Sequence, residues 1–470
     1  MAHIRIFKHY VHFPFIILGL LESLAFMAAI FVALPTRLLI SDIEYTFHFL
    51  ELLPSAIAYA YTLLICMNAM GVYQSKLKEG KTGMAVRTLV AFAIGSMIFP
   101  IFYYISGDIF GVIWRSVLVI ATVYALLFLV IVRVLFYGLV GEEIFKRKVM
   151  VLGAGKRANG MLLDLKNPED WKGFELLGFF PFSDEEVVVP QQNVIQTYAT
   201  LKEYALTHGV DEIVIALDDR RKKLPLEELM ECKLEGISIV QEYLFIERET
   251  RRVSLEIISP GWFIFSDGFQ VSSLRSVFKR MFDVIASFLL LMVAWPFILL
   301  TILAIKLEDG WGAPVLYKQV RVGLNGQPFD VMKFRSMRTD AEKAGQAIWA
   351  TQNDSRITRV GNVIRKYRID ELPQLFNVFR GDMAFVGPRP ERPVFVEKLA
   401  KNIPYYNERH RVKPGITGWA QLCFAYADNE EDSKEKLRYD LYYIKNNSLL
   451  LDILILLQTV EVVLFKKGAH

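Results

Sequence analysis

The stretch FKRMFDVIASFLLLMVAWPFILLTILAIKLE, from Phe278 to Glu308, decides how the second half of the fold is organised. It is longer than the roughly 20 apolar residues that a helix needs to cross a bilayer, and Pro296 stands near its middle. A proline removes one backbone donor and kinks a helix. The pattern leaves two arrangements open: a kinked spanning helix, or a re-entrant helix over residues 279–306 that is broken at Pro296 and returns to the same face.

Long apolar runs in residues 1–140 predict a transmembrane domain of four helices. The runs cover Phe13–Leu34, Phe47–Met70, Met84–Ile105 and Phe110–Val134, each about the length that spans a bilayer. The composition agrees, because 53% of the residues are hydrophobic and the mean hydropathy is +0.31, while 22% are charged and must meet water. We therefore expect a membrane protein with α and α/β parts.

The loops between these runs predict the orientation of the helices. The loops on one side carry basic residues, namely Arg5, Lys8, Lys76, Lys78, Lys81 and Lys146–Lys148. The loops on the other side carry Asp42, Glu44 and Asp108 against Arg37. The positive-inside rule then places both ends of the domain in the cytoplasm. Inside the runs, we expect Glu22 to make a helix–helix contact and Arg87 and Arg115 to extend toward the interface.

From Lys148 the pattern changes to alternating strands and helices. KVMVLGAGKRANGMLLDL begins with an apolar strand and continues as a helix, and FELLGFF and DEIVIAL are further strands. Alternating β and α segments of this length predict a parallel, Rossmann-like α/β domain at residues 148–245. A polar link follows at Glu247–Arg252.

The turn after the first of these strands has two interpretations. Gly153, Gly155 and Ala158 fit the pattern G-x-G-x-x-A, whose amides would face a pyrophosphate. However, GFFPF stands where an acidic residue would hold a ribose. A tight turn that binds no ligand is therefore as good an explanation as a nucleotide site.

Residues 275–470 form the third predicted domain, which is mostly helical and contains the candidate chemistry. RKYRIDELPQLFNVFRGDMAFVGPRP, from Arg365 to Pro390, places Asp370 and Glu371 among basic residues that include Arg389. Phosphoryl transfer needs such parts: cations, a metal, and a nucleophile or base. Two simpler explanations stay open, a helix cap for Asp370 and a basic face bound to anionic lipid. The apolar segment near the end of the chain, interrupted by Asp452 and Glu461, predicts an interfacial helix.

Several classes of protein are disfavoured by what the sequence contains. The three cysteines are far apart and the seven histidines are scattered, which disfavours a zinc site or a disulfide framework. A net charge of +4 is mild, and we expect no nucleic-acid partner.

Four motifs resemble those of a known family. KRMFD, MKFRSMR, RIDELPQLFNVFRGDMAFVGPRPE and RHRVKPGITGWAQ occur in order within Val277–Lys466. They look like the signature blocks of bacterial polyprenyl-phosphate hexose-1-phosphate transferases, the monotopic phosphoglycosyl transferases. The whole arrangement is similar to the large members, which start exopolysaccharide or O-antigen repeats at the cytoplasmic face of the bacterial inner membrane.

The resemblance implies a reaction and its residues. A UDP-sugar would give its sugar phosphate to Asp370 in the presence of Mg²⁺, which Asp370 also contacts, and undecaprenyl phosphate in the lipid bilayer would then accept it. Glu371 would be the acidic partner, whereas Lys333, Arg365 and Arg389 would hold phosphates. The family resemblance also implies a homodimer, an interfacial place for Lys279 and Arg280, and a re-entrant helix broken at Pro296.

Two departures from the family pattern leave details open. Trp295 stands where members often have serine before the proline, and Leu422-Cys423 where some have arginine. Two other functions are also compatible with the sequence: a nucleotide-sensing membrane regulator, which the turn at Gly153 would serve, and a scaffold of a polysaccharide assembly complex.

Overall fold

The computed structural model describes most of the chain and divides it into two compact units. The described residues are 3–6, 9–41, 49–73, 81–105, 115–139, 146–182, 186–196, 200–218, 224–256, 258, 262–263, 273–338, 356–424 and 429–464. The units are Met1–Thr250 and Arg251–His470. The finer division into domains at 1–140, 148–245 and 275–470 stays a prediction.

The first unit begins with a short hairpin and long apolar helices. The elements are β1 (His3–Ile6), β2 (His9–His12), α1 (Phe13–Ser41), α2 (Phe49–Ala69), α3 (Lys81–Ile105) and α4 (Arg115–Leu139). Helices α1–α4 share an apolar core that includes Phe26, Tyr59, Phe99 and Leu129. Each contains a segment long and apolar enough to cross a membrane, at the positions that the sequence predicts. Their crossing of a bilayer stays a prediction, and the loop residues Lys8, Asp42, Glu44, Lys76, Lys78 and Asp108 lie outside the described residues.

A buried ion pair joins these helices. Glu22 of α1 accepts a hydrogen bond of 2.7 Å from Nε of Arg133 in α4, and Tyr73 donates to the same carboxylate. The expected helix–helix contact of Glu22 is thus confirmed. The expectation for Arg87 is wrong: its side chain is buried and donates to the carbonyl oxygen of Met70 at 3.1 Å. This carbonyl follows the end of α2, where helix carbonyls lack partners within their helix.

The α/β part of the first unit has the predicted alternation. Its elements are β3 (Arg147–Leu152), α5 (Lys156–Asp164), β4 (Phe174–Phe180), α6 (Leu201–His208), β5 (Glu212–Ile215), α7 (Leu226–Leu234), β6 (Ser238–Gln241) and α8 (Glu242–Thr250). The strands pair in parallel in the order β4-β3-β5-β6. The central strands β3 and β5 are almost wholly buried, which explains why they are continuous apolar runs in the sequence.

The polar link expected at Glu247–Arg252 is instead largely the end of helix α8. Glu249 of α8 and Glu212 of β5 both bond to Arg147 and Arg248, and these four side chains are almost fully buried. Charges in a sequence suggest a solvated linker, but here each is compensated by a residue distant in the chain. Tertiary pairing therefore overrides the compositional signal.

The second unit is mostly helical, as predicted. Its elements are α9 (Ser273–Asp309), β7 (Leu316–Val322), β8 (Pro328–Phe334), α10 (Arg359–Lys366), α11 (Gln374–Arg380), β9 (Ala384–Val386), α12 (Pro393–Asn402), β10 (Gly415–Thr417), α13 (Trp419–Cys423), α14 (Glu430–Asn446) and α15 (Leu449–Leu464). Strands β7 and β8 form an antiparallel hairpin, and β9 pairs with β10 in parallel. Helix α15 has 16 residues, fewer than the roughly 20 that cross a bilayer.

Helix α9 continues through Pro296 over its full 37 residues. The expected separation into two helical segments is therefore not seen. One missing donor and one displaced carbonyl kink a helix, but the bonds on either side of the proline can keep it continuous. Many large apolar side chains of α9 are exposed, including Trp295 at 58%. An apolar face of this extent is typical of a surface that contacts a membrane.

We expect Gly153→Ala to destabilise the first unit and Gly160→Ala to stabilise it slightly. Gly153 has a φ of +114°, and a Cβ there would lie 2.7 Å from the carbonyl oxygen of Ala216, so alanine should cost about 2–4 kcal/mol. Gly160 in α5 has nothing within 4 Å of that position, and alanine should contribute about 0.5–1 kcal/mol. Thermal unfolding of the purified protein tests both variants, and equal melting temperatures would contradict the expectation.

Candidate active site

The two adjacent carboxylates lie in a short 3₁₀ turn between α10 and α11. The turn covers Ile369–Glu371 and follows Arg368, whose φ of 56° is left-handed. Asp370 is buried, and within the described part of the chain its Oδ1 has no hydrogen-bond partner. The alternative that Asp370 caps a helix is wrong, because it lies inside the turn and the following helix has no side-chain cap.

Glu371 gathers the basic side chains of the site. Its Oε1 lies 3.0 Å from Nζ of Lys333 and 3.1 Å from Nη2 of Arg389, with Nη1 of Arg368 at 3.8 Å. Burial alone would raise the pKa of Glu371, but the charges of Lys333, Arg389 and Arg368 outweigh burial and hold this pKa well below its usual value. Glu371 is therefore ionised throughout the physiological range.

Asp370 has the opposite electrostatic character. Burial, and then the negative charge of Glu371, raise its pKa from 3.8 to about 6, although the charges of Lys333, Arg365 and Arg368 oppose the rise. Two neighbouring carboxylates whose pKa values are pushed apart are typical of a catalytic pair with divided roles.

The structure brings together most of the residues that the sequence predicts for this site. Lys333 comes from β8, Arg389 from the loop between β9 and α12, and both contact Glu371. Arg365 lies in the last turn of α10, close enough for its charge to lower the pKa of Asp370. Arg368, which also lies beside Glu371, was not predicted, although it belongs to the same basic stretch.

Asn377 is a further residue that sequence reasoning missed. Its side chain is fully buried, accepts from the amide of Met332 at 3.0 Å and donates to the carbonyl oxygen of Asp330 at 2.7 Å. Helix α11 is thereby bonded to β8 directly beside Lys333. The available signal in the sequence was an amide flanked on both sides by apolar residues, in LFNVF.

Lys279 and Arg280 of α9 are bonded within the second unit. Arg280 donates to the carbonyl oxygens of Val378 and Phe379 at 2.6 and 2.7 Å, which satisfies the end of α11 before Gly381. Lys279 bonds to Asp452 of α15. The amino-terminal end of α9 is thus attached to α11, the helix that follows the turn with Asp370 and Glu371.

The glycine turn of the α/β part holds a carboxylate from its own chain. The amides of Lys156 and Arg157 at the start of α5 donate to the carboxylate of Asp218 at 2.9 and 2.7 Å. In a dinucleotide-binding turn these amides would face a pyrophosphate. The arrangement at Gly153, Gly155 and Ala158 therefore favours the tight-turn interpretation.

Comparisons with known proteins agree with this arrangement. Residues 274–466 match the family model described as bacterial sugar transferase, and residues 68–239 match one described as a CoA-binding domain. The pyrophosphate of CoA does not fit the turn at Gly153, because the carboxylate of Asp218 occupies the amides. We therefore assign no role to CoA.

Three relatives illustrate the range of the matches. A UDP-glucose:undecaprenyl-phosphate glucose-1-phosphate transferase of Klebsiella pneumoniae is 33% identical over 73% of this chain and 74% of its own. An undecaprenyl-phosphate galactose phosphotransferase of Salmonella typhimurium is 30% identical over 76% of both chains. A UDP-N-acetylgalactosamine-undecaprenyl-phosphate N-acetylgalactosaminephosphotransferase of Aeromonas hydrophila is 41% identical over 52% of this chain, and the match spans 56% of that relative.

The fold and the site define a membrane-bound enzyme that transfers phosphorylated sugars. The chain belongs to the bacterial sugar transferase family, among the polyprenyl-phosphate hexose-1-phosphate transferases.

We expect Asp370→Asn to stabilise the protein at pH 8 more than at pH 4.5. The folded state holds the Asp370 proton up to about pH 6, whereas the ordinary pKa is 3.8. Ionised Asp370 therefore destabilises the folded state above pH 6, by up to about 3 kcal/mol, and this cost disappears as the pH falls toward 3.8. Thermal unfolding of both proteins across this range tests the prediction.

Glu397→Gln, which alters an exposed carboxylate on α12, is the matched control and should show no such pH dependence. A melting-temperature difference for Asp370→Asn that is the same at both pH values would show that the Asp370 pKa is not raised.

Proposed function

We propose that this protein transfers a sugar 1-phosphate from a UDP-sugar to undecaprenyl phosphate and releases UMP. The observation that carries the proposal is the pairing of Asp370, buried with an unbonded Oδ1, and Glu371, whose charge is compensated by Lys333 and Arg389. The names of the relatives support the donor and acceptor classes, although the three cited relatives name three different sugars. The sugar is accordingly left unspecified.

In the first step, Oδ1 of Asp370 attacks the phosphorus that carries the sugar. A bond forms between this oxygen and phosphorus, the phosphorus–oxygen bond to the uridine-bearing phosphate breaks, and UMP leaves with the electron pair. The nucleophile must be the ionised carboxylate, which a pKa of about 6 makes available at neutral pH. Burial removes water that would otherwise hydrolyse the phospho-sugar adduct.

In the second step, an oxygen of undecaprenyl phosphate attacks the same phosphorus. The bond to Asp370 breaks, the carboxylate is restored, and a polyprenyl diphosphate sugar is formed. A phosphate monoester is already largely ionised at neutral pH, since its second pKa is about 6, so the acceptor needs no general base. This agrees with a Glu371 that stays ionised and so cannot donate a proton at neutral pH.

Glu371 then has the role of a counter-ion for the phosphate-binding residues. Phosphoryl transfer depends mainly on positioning and on charge stabilisation. Lys333 and Arg389 reach the site from separate elements, and Glu371 holds their charged ends 3.0 and 3.1 Å from one oxygen. We infer that the donor diphosphate competes for these two cations and Arg365 holds the phosphate from the other side of Asp370.

The carboxylates are compatible with a bound Mg²⁺. Among the described residues, no cluster of three or more His, Cys, Asp or Glu could hold a metal by itself. Mg²⁺ usually binds one or two carboxylates together with substrate phosphates and water, and the Asp370 carboxylate suits that pattern. When bound, Mg²⁺ would neutralise charge on the diphosphate, and Asp370 is the residue that would hold it.

The contacts of α9 support a re-entrant arrangement, and we propose that the active site lies on the cytoplasmic side. A straight helix of 37 residues would be about 55 Å long, well beyond the roughly 30 Å of hydrocarbon. Yet both of its ends bond within one small group of elements: Arg280 with Val378, and Asp309 with Arg335 at 2.6 Å. Asn377, next to Val378, bonds to β8 near Arg335. We infer that α9 bends at Pro296, and that this bend brings its two ends together.

We expect cysteines on either side of α9 to label from the same side of the membrane. Ser276→Cys and Gly312→Cys flank the apolar part of the helix, and a side chain at residue 312 meets open space. In a Cys423→Ser background, an impermeant maleimide should modify both in inverted vesicles and neither in intact spheroplasts. Labelling of the two positions from opposite sides would establish a spanning helix instead.

We expect Asp370→Asn to abolish UMP release and the covalent adduct. The amide cannot replace the carboxylate as a nucleophile, so activity should fall by at least about 10⁴-fold. The wild-type protein, incubated with a UDP-sugar labelled in the sugar and without acceptor, should retain label after denaturation. Asp370→Asn should retain none, whereas the control Glu397→Gln should behave as wild type. Full activity of Asp370→Asn would refute this mechanism.

The product class indicates a place at the start of a polymer. A sugar linked to a polyprenyl diphosphate is a primed acceptor for further glycosyl transfer on the same membrane face. We therefore extend the proposal to initiation of exopolysaccharide or O-antigen repeats, which the sequence resemblance supports. A screen of UDP-sugars for UMP release, with undecaprenyl phosphate present, identifies the first sugar of the repeat.

A further inference from the structure

Four consecutive peptide oxygens of the loop that presents Arg389, those of residues 388–391, each accept a hydrogen bond. The Pro388 oxygen accepts from the amide of Gly415 at 3.0 Å, and the Arg389 oxygen accepts from Nη2 of Arg409 at 3.0 Å. The Pro390 oxygen accepts from Nη1 of Arg321 at 3.1 Å, and the Glu391 oxygen accepts from the amide of Val322 at 2.9 Å. Prolines on both sides of Arg389 further restrict its backbone. The contact at the Arg389 oxygen itself comes from a charged side chain, Arg409.

Arg409 is buried, and its Nη1 and Nη2 make polar contacts around this oxygen, whereas its Nε has no hydrogen-bond partner among the described residues. It has 5% of its surface exposed. Its Nη2 donates both to the Arg389 oxygen and to Oδ2 of Asp440 at 2.8 Å, and its Nη1 donates to the Tyr406 hydroxyl at 2.7 Å. The guanidinium also lies 5.1 Å from the centre of the Tyr406 ring. Arg409 therefore connects helix α14, through Asp440, to the peptide that carries Arg389.

Stability alone is a poor explanation for this buried pair. Transfer of two charges from water costs several kcal/mol per ion, and apolar replacements of buried pairs are often neutral or stabilising. The pair does, however, supply a fixed donor at one defined point of the backbone. The acceptor is the carbonyl oxygen of Arg389, the residue whose guanidinium contacts Glu371 at 3.1 Å.

We propose that Arg409 is a positioning residue for the transfer reaction and acts through Arg389. By holding the Arg389 carbonyl oxygen, Arg409 sets the place from which the Arg389 guanidinium reaches the sugar phosphate. This inference rests on the proposed function, since it takes Arg389 to be a phosphate-binding residue. Arg409 itself does not touch the substrate. Arg409 is the first residue of the motif RHRVKPGITGWAQ, but the sequence analysis assigns it no role.

A double-mutant cycle on kcat/KM tests the inference. Arg409→Gln should lower kcat/KM by about 10- to 100-fold in the wild-type background, the size expected for a displaced phosphate contact. In an Arg389→Lys background, which has already lost the forked contact, the same change should cost less than about 3-fold. Equal fold losses in both backgrounds, or no loss in the wild-type background, would overturn the proposal.

Arg438→Gln is the matched control for loss of a buried arginine. Arg438 is equally buried, lies on α14 with Asp440, and donates to the carbonyl oxygen of Val253 at 2.9 Å rather than to the Arg389 loop. Its loss should lower the melting temperature to a similar degree, and any effect on kcat/KM should be the same in both backgrounds. If Arg438→Gln were coupled to Arg389→Lys as strongly as Arg409→Gln is, the loss of kcat/KM in Arg409→Gln would be a general structural effect.

Arg409→Lys provides a second variant if Arg409→Gln does not fold. Lysine keeps the charge beside Asp440 but lacks the forked geometry needed to reach Tyr406 and Arg389 as well. The same double-mutant cycle therefore applies, with a smaller expected loss of kcat/KM. Assays of the wild-type protein distinguish failure of the proposed function from failure of the role of Arg409. Absence of UMP release from every UDP-sugar would refute the proposed function, whereas active wild type with an additive cycle would refute only the role of Arg409.

Discussion

The compensation of one buried carboxylate is the interaction on which the active site depends. Glu371 stays ionised in a largely buried position because Lys333 and Arg389 bring their charges to within 3.1 Å of its Oε1. Its negative charge then helps to raise the pKa of Asp370 to about 6. Loss of either cation would leave this charge only partly compensated and would destabilise the folded state. One residue therefore both orders the basic side chains of the site and raises the pKa of Asp370.

The rest of the second unit can be understood as the support for that arrangement. Asn377 joins α11 to β8 beside Lys333, and Arg280 joins α9 to the end of α11. Arg409 attaches the Arg389 loop to α14. The turn that carries Asp370 and Glu371 is thus surrounded by elements that polar side chains hold together, next to a helix with many exposed apolar residues. Such a layout suits an enzyme that takes one substrate from water and the other from the bilayer.

In the α/β part of the first unit, a sequence pattern typical of nucleotide binding forms a structural turn. The turn needs glycine at position 153 because φ is +114° there and a Cβ would clash with the backbone of Ala216, the residue after β5. Asp218 supplies from within the chain the negative charge that a phosphate would bring to the amides of Lys156 and Arg157. The glycine pattern alone does not distinguish these cases, because both need the same turn.

The amino-acid sequence by itself determined the order and type of most elements. Apolar runs predicted α1–α4 and α9, alternation predicted the parallel strands, and Asp370, Glu371, Lys333 and Arg389 could be selected by residue type and by resemblance. These signals are local, because hydrophobic periodicity and turn chemistry act over a few residues. Only the tertiary structure decided that Arg87 is buried, that α9 continues through Pro296, that Asp218 fills the glycine turn, and that Arg409 holds the Arg389 loop. Each of these features depends on burial or on contacts between residues far apart in the chain. The free energy of a buried charge or of a kinked helix is set by its neighbours in space rather than by the residues beside it in sequence.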